Sequence, residues 1–109
     1  MITEKEKNAV IDISSSGSNA IITAPGDGKY LAIDHINLLA TSAVDITLYS
    51  ETTALSGTYA FDTKQAMALD NSWNCQDGII TCGNDEAFNI TLGAAVQVSG
   101  FIRYRIINE

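Results

Sequence analysis

The stretch that decides the class of fold is Ala43-Val44-Asp45-Ile46-Thr47-Leu48-Tyr49-Ser50. Apolar residues stand at positions 44, 46 and 48, and more polar residues stand between them. Successive side chains of an extended chain point to opposite faces, so this period of two predicts a β-strand with one face towards a core.

The same period recurs on both sides of this stretch. Residues 86–92 place Phe88, Ile90 and Leu92 on one face, and residues 96–107 alternate over a longer distance, with apolar residues on part of both faces. Further strands are expected at 19–23, 29–40 and 79–81, and weaker strands at 9–13, 55–61 and 65–69, of which the last could instead form a helical turn. Together they predict an all-β fold, an antiparallel, jelly-roll-like β-sandwich of about eight or nine short strands.

Glycine and proline mark where the chain turns. The stretch Ala24-Pro25-Gly26-Asp27-Gly28 fits a reverse turn, because proline fixes φ and glycine accepts a positive φ. We expect residues 19–23 and 29–40 to pair as a hairpin around this turn. Within residues 29–40 the apolar positions change from odd to even numbers at Asp34-His35. One extra residue in a strand shifts the pattern in this way, so the pair predicts a β-bulge.

Length and charge limit the classes of function. The 109 residues, 46% hydrophobic and 17% charged, suffice for one hydrophobic core but not for two. We therefore expect a flexible N-terminal arm at residues 1–8 and a single β-sandwich domain at residues 9–109. The net charge of −7 repels nucleic acid phosphates and anionic lipid headgroups, so neither nucleic acid nor a membrane is expected as a partner. No apolar run fits a signal peptide or a bilayer span, which favours a protein made in the cytoplasm.

The sequence contains no recognisable set of catalytic residues. His35 is the sole histidine, and no nucleophile motif accompanies it. Cys75 and Cys82 lack the spacing and the companion ligands of a zinc site, so we expect two buried or half-buried thiols. The sequence thus predicts a structural or binding protein rather than an enzyme, with no catalytic, cofactor-binding or metal-binding residues.

The C-terminal stretch is the candidate subunit interface. Phe101 and Ile107 are apolar on the face of this strand that should be polar, and Arg103 and Arg105 stand between them. Aromatic and arginine side chains are enriched in protein interfaces. We therefore predict an interface made by Phe101, Arg103, Arg105 and Ile107.

The order of several short motifs resembles a group of small tailed-phage virion proteins of the head decoration, or cement, type. The motifs that carry the resemblance are Ile21-Ile22-Thr23-Ala24-Pro25-Gly26-Asp27-Gly28-Lys29, the stretch 43–50 quoted above, Thr53-Ala54-Leu55-Ser56-Gly57, Glu86-Ala87-Phe88-Asn89-Ile90-Thr91-Leu92 and Ala95-Val96-Gln97-Val98-Ser99-Gly100. The resemblance covers residues 20–107, and the loop at residues 70–76 departs from the pattern of the group.

The resemblance implies a jelly-roll-like β-sandwich on the outside of a bacteriophage capsid, commonly a homotrimer, that bridges subunits of the major capsid protein. The location is then the virion, after synthesis in the host cytoplasm. The charged segment before the first strand is predicted to be an arm that orders on the capsid, made of Thr3, Glu4, Lys5, Glu6 and Lys7.

Two alternatives stay open beside this implied function. One is a tail or baseplate component of the same virion. The other is a carbohydrate-binding β-sandwich in which Trp73 and the tyrosines Tyr30, Tyr49, Tyr59 and Tyr104 stack on sugar rings. Packing in the core or at a subunit interface is the favoured use of these aromatic residues.

Overall fold

The computed structural model describes residues 5–72 and 75–109, and these residues form ten strands and no helix. The strands are β1 (Lys7–Ile13), β2 (Gly17–Ile22), β3 (Lys29–Ala40), β4 (Val44–Ser50), β5 (Thr53–Ala54), β6 (Tyr59–Phe61), β7 (Gln65–Asp70), β8 (Ile80–Thr81), β9 (Phe88–Leu92) and β10 (Val98–Asn108). Residues 5–72 and 75–109 contain no helix that could cross a membrane.

The strands form two antiparallel five-stranded sheets that pack face to face. Sheet A has the order β1-β10-β3-β7 with β8 also on β3, and sheet B has the order β2-β9-β4-β5 with β6 also on β4. The pairing is nested, since β1 pairs with β10, β2 with β9, β3 with β7 and β8, and β4 with β5 and β6. A long antiparallel hairpin rolled up in this way is a jelly roll, and the predicted sandwich is confirmed.

The predicted hairpin around Pro25 is wrong. Strand β2 pairs with β9 in sheet B, whereas β3 pairs with β10 in sheet A. The turn residues therefore reverse the chain as expected, but they carry it from one sheet to the other. A turn motif reports the local change of direction, and it does not determine which strands become neighbours.

The core lies between the sheets and is made by the inward positions of the alternating strands. In β4, Ile46 and Leu48 are fully buried, as the opening stretch predicts. Burial of such side chains contributes roughly 1.5–3 kcal/mol each. The largest apolar side chains that are fully buried are Ile11, Leu31, Ile33, Ile36, Leu38, Ile46, Leu48, Phe88, Ile90, Leu92 and Ile102.

The predicted β-bulge is confirmed in β3. Opposite β10, His35 pairs with Arg103 and Ile33 pairs with Tyr104, which leaves Asp34 as the extra residue. The bulge keeps Ile33 and Ile36 both in the core, while Asp34 and His35 contact residues on the outer face of sheet A. This local irregularity divides the outer face into two unlike parts.

Strand β1 begins at Lys7, two residues before the predicted start at Ala9. Lys7 and Asn8 pair with Tyr104 and Arg103 in β10. Both residues therefore belong to sheet A and not to an arm that precedes it.

Candidate binding surface

The outer face of sheet A consists of two halves that meet at the bulge. The covered half, nearer the start of β3, contains Tyr30, Ala32, Asp34, Arg105 and Ile107. The open half, towards the end of β3, contains Val10, His35, Leu39, Phe101 and Arg103.

An ion pair lies at the centre of the covered half. The Arg105 side chain is completely buried, and its Nε and Nη2 donate to Oδ2 and Oδ1 of Asp34 at 2.7 Å and 2.9 Å. The small side chain of Ala32 lies opposite Arg105 on β3. A buried charge is tolerated only with a partner in good geometry, and this two-pronged contact supplies one.

The cover is formed by residues 71–72 and 75–79, the described residues between β7 and β8. Asn71 donates from its backbone N to the Asp34 carbonyl at 2.8 Å and from its Nδ2 to Asp34 Oδ1 at 3.1 Å. The Cys75 carbonyl accepts a bond from Arg105 Nη2 at 3.4 Å. The ion pair is therefore tied to the cover as well as to the strands beneath it.

The far end of the cover approaches the backbone of β3 closely. Ile79 donates its backbone N–H to the Ile33 carbonyl at 2.8 Å. Gly78 has a φ of +70°, and a Cβ built on it would lie 2.3 Å from the Ile33 carbonyl oxygen. Only glycine fits this position without displacing the cover.

The electrostatics of Asp34 and Tyr30 follow from these contacts. Burial by itself raises the pKa of Asp34, but the hydrogen bonds from Arg105 and Asn71 outweigh it and hold that pKa below its ordinary value. The Tyr30 hydroxyl donates to Asp77 Oδ1 at 2.6 Å. This bond, assisted by partial burial, raises the pKa of Tyr30 to about 12.

The open half has no such cover among the described residues. Val10 is 77% exposed, Phe101 42% and Leu39 40%, and these are the exposed large hydrophobic residues of the described chain. Val10 lies directly opposite Phe101, and the His35 ring stacks on Phe101 with the ring centroids 5.1 Å apart. Exposed apolar side chains grouped on a rigid sheet are typical of a binding surface.

Basic side chains lie along the β1 edge of sheet A, next to the open half. Arg105 is buried, and three of the remaining basic residues, Lys5, Lys7 and Arg103, lie on β1, beside it or just before it. Arg103 Nη2 lies 3.5 Å from Glu6 Oε1. In a chain of net charge −7, this edge is where positive charge collects.

The predicted subunit interface is split between the two halves. Phe101 and Arg103 lie in the open half and are accessible. Arg105 and Ile107 are buried within the chain at 0% and 7% exposure, so they are not accessible to a second subunit as the predicted interface requires. An interface through Phe101 and Arg103 stays a prediction.

The predicted arm meets the same surface. Lys5 and Glu6 precede β1, and Lys7 is its first residue. The contact between Glu6 and Arg103 places the predicted arm next to the predicted subunit interface. Thr3 and Glu4 lie outside the described residues.

Sequence reasoning missed Val10, although a signal was present. In β1 the residues Ala9, Ile11 and Ile13 pack against the core. The alternation therefore leaves Val10 as an apolar residue on the outward face of β1. Phe101 was identified by the same reasoning in β10.

The tyrosines do not share one surface. Tyr59 and Tyr104 pack against the core, Tyr30 is bonded to Asp77, and Tyr49 lies in sheet B. Trp73 lies outside the described residues. The described aromatic residues therefore form no platform for a sugar ring.

The two cysteines lie in different surroundings. Cys82 is buried, and burial raises the pKa of its thiol to about 11, so it is protonated at neutral pH. Near it, Ser50 Oγ donates to Glu86 Oε1 at 2.5 Å and accepts from the Gly83 backbone N at 3.0 Å, which fixes the loop before β9. Cys75 is exposed, contrary to the prediction of two buried or half-buried thiols.

Within residues 5–72 and 75–109 no group of three or more His, Cys, Asp or Glu side chains could hold a metal ion.

The order of motifs quoted above is the basis of the resemblance to phage virion proteins, and comparison with known proteins adds no family to it. No family model matches the chain, and no curated protein matches it.

Proposed function

We propose that this protein is a non-enzymatic structural component of a bacteriophage virion, a decoration or cement protein that binds the outer surface of the head. The order of motifs supports the proposal, and the jelly-roll sandwich agrees with the fold that the resemblance implies. The observation that carries the binding role is the open half of sheet A. It presents Val10 and Phe101 to solvent beside the segment predicted to be the capsid-contacting arm.

The physical basis of the proposed activity is linkage. A protein that binds the assembled shell, and not its separated subunits, shifts the equilibrium towards the shell by mass action. A rigid sandwich loses little conformational freedom on binding, so more of the contact energy appears as affinity. The acidic surface would keep the protein away from DNA before it docks on the major capsid protein.

The direct test is addition of the purified chain to undecorated heads. The proposal expects saturable binding at a fixed ratio to the major capsid protein and a higher temperature of shell disruption. Phe101→Ala should weaken the binding, and Lys64→Ala, an exposed position in the turn before β7, serves as the matched control.

Three results would contradict the proposal. They are absence of binding to heads, localisation of the chain on the tail or baseplate of purified particles, and binding of glycans by the isolated domain. The resemblance also implies three copies per docked unit. The described residues hold no contact that favours three copies over two.

A further inference from the structure

The outer edge of β1 is unpaired within the described residues. Strand β1 is the terminal strand of sheet A, and its seven residues pair with β10 alone. An edge strand presents backbone N–H and C=O groups that can bond to another strand. Proline, which would block such a bond, does not occur in β1.

The sequence of β1 is compatible with pairing to itself. Consider two antiparallel copies related by a two-fold axis at Val10. On the outward face Val10 then lies opposite the partner's Val10, and Asn8 lies opposite the partner's Asp12. On the core side Ala9 lies opposite the partner's Ile11. Every outward residue therefore meets an outward residue, so both copies keep their own cores intact.

The charges along the edge are complementary in this arrangement. At the start of β1, Lys5, Lys7 and the neighbouring Arg103 outnumber Glu6, which lies 3.5 Å from Arg103, and Asp12 stands near the end of the strand. Antiparallel pairing sets the start of one strand against the end of the other. No two like charges of β1 lie opposite each other, although the chain as a whole is acidic.

The pairing would also bring a neighbour against Val10, the most exposed large hydrophobic side chain that the structure describes. Val10 is 77% exposed and lies opposite Phe101. A two-fold axis at Val10 extends this pair into a row of four apolar side chains, Phe101 and Val10 from each copy. Such a row at the centre of a contact, with charges at its ends, is the usual arrangement of a protein interface.

We propose that two copies of this chain associate through the outer edges of their β1 strands, antiparallel and centred on Val10, to form one continuous outer sheet. The contact is isologous, which is the commonest symmetry of homo-oligomers. The proposal requires only the chain itself, and it does not depend on docking to a virion.

The first test is the mass of the chain in solution, measured by light scattering over a range of concentrations. The wild type should reach twice its monomer mass of 11.6 kDa. Val10→Lys places like charges at the axis and should raise the dimer dissociation constant by about tenfold or more. Leu39→Lys is the matched control, because Leu39 is an exposed apolar residue of the same face on an inner strand, and it should leave the dimer unchanged.

A second pair of variants tests the register through charge. Asn8→Lys sets a cation opposite the partner's Asp12 and should tighten the dimer, whereas Asn8→Asp sets two carboxylates together and should weaken it, each by about threefold. Both substitutions are at an exposed position, so folding should be preserved. Oxidation of Val10→Cys in a Cys75→Ser background should give a disulfide-linked dimer, and Leu39→Cys in that background should not.

The outcomes separate this inference from the proposed function. A monomer at every concentration, a trimer, or a dimer that Val10→Lys leaves intact would each overturn the inference. A monomer that still docks on heads would overturn the inference and leave the proposed function standing. A dimer that does not dock on heads would support the inference and contradict the proposed function.

Discussion

The covered and open halves of the outer face of sheet A share strands β3 and β10, with β1 added in the open half, yet they differ in what their outward side chains contact. In the covered half Arg105 is buried and bonded to Asp34 and the Cys75 carbonyl. In the open half Arg103, two residues earlier on the same strand, is half exposed and lies 3.5 Å from Glu6. The segment between β7 and β8 accounts for the difference.

This difference shows how one sheet face can serve two purposes. Under the cover, Asp34 bonds to both Arg105 and Asn71 inside the chain, so these outward residues contribute to stability. Beyond the bulge, Val10 and Phe101 remain in contact with solvent, so their burial remains available for binding. Substitutions in the two halves should therefore separate stability from association.

The largest expected effect is on Arg105. Arg105→Ala leaves the Asp34 carboxylate buried without its partner, and it should lower the free energy of unfolding by about 3–5 kcal/mol. Arg103→Ala, which removes an exposed arginine from the same strand, should change it by no more than about 0.5 kcal/mol. Urea denaturation of both variants makes the comparison, and equal losses would contradict the division into two halves.

The next effect concerns the seating of the cover. Gly78→Ala forces a side chain into a positive φ and against the Ile33 carbonyl, so it should cost about 2 kcal/mol. Gly57→Ala is a suitable control, because a Cβ at this position has no neighbour within 4 Å and its φ is not in the positive range. Thermal unfolding of the two variants gives the result, and a Gly78→Ala protein as stable as the control would show that the cover is not held closely.

The pH dependence of stability should report the ion pair. The pKa of Asp34 is lower in the folded chain than its ordinary value of 3.8. Its contribution is therefore present above about pH 4 and is lost as the pH falls through the folded value. The free energy of unfolding of the wild type should fall as the pH is lowered from 6 to 2, a range of about two units on either side of the ordinary pKa. The fall should be smaller in the double variant Asp34→Asn/Arg105→Met, and equal slopes would contradict the assignment.

The smallest effect on stability is expected in the open half. Phe101→Ala removes a partly exposed ring and its stacking on His35, so it should cost about 1 kcal/mol or less. The same variant should lose self-association, because Phe101 flanks Val10 in the proposed contact. Sedimentation of the variant tests this, and a wild-type mass would count against Phe101 as a contact residue.

The sequence predicted the elements that depend on near neighbours. Alternation in the stretch 43–50 is a property of one strand, and β4 follows it from Val44 to Ser50. The change of register at Asp34-His35 also lies within one strand, and it appears as the bulge. These patterns arise from the period of a strand with one face in a core, so no distant contact is needed to interpret them.

The parts that were missed depend on contacts between distant residues. The partner of β2 is β9, far along the chain, and a turn at Pro25 carries no information about it. The cover over Arg105 comes from a loop without an alternating pattern. Arg105 and Arg103 therefore looked equivalent in sequence, because Asp34, the ion-pair partner of Arg105, lies 71 positions away along the chain.

Amide hydrogen exchange of the intact chain at several protein concentrations tests the division between the halves most directly. The account predicts that the β1 amides that point away from β10 exchange fast in dilute solution and become protected as the protein concentration rises. The amides of β3 and β10 beneath the cover should be protected at every concentration. Exchange in β1 that is independent of concentration, or fast exchange around Asp34 and Arg105, would contradict it.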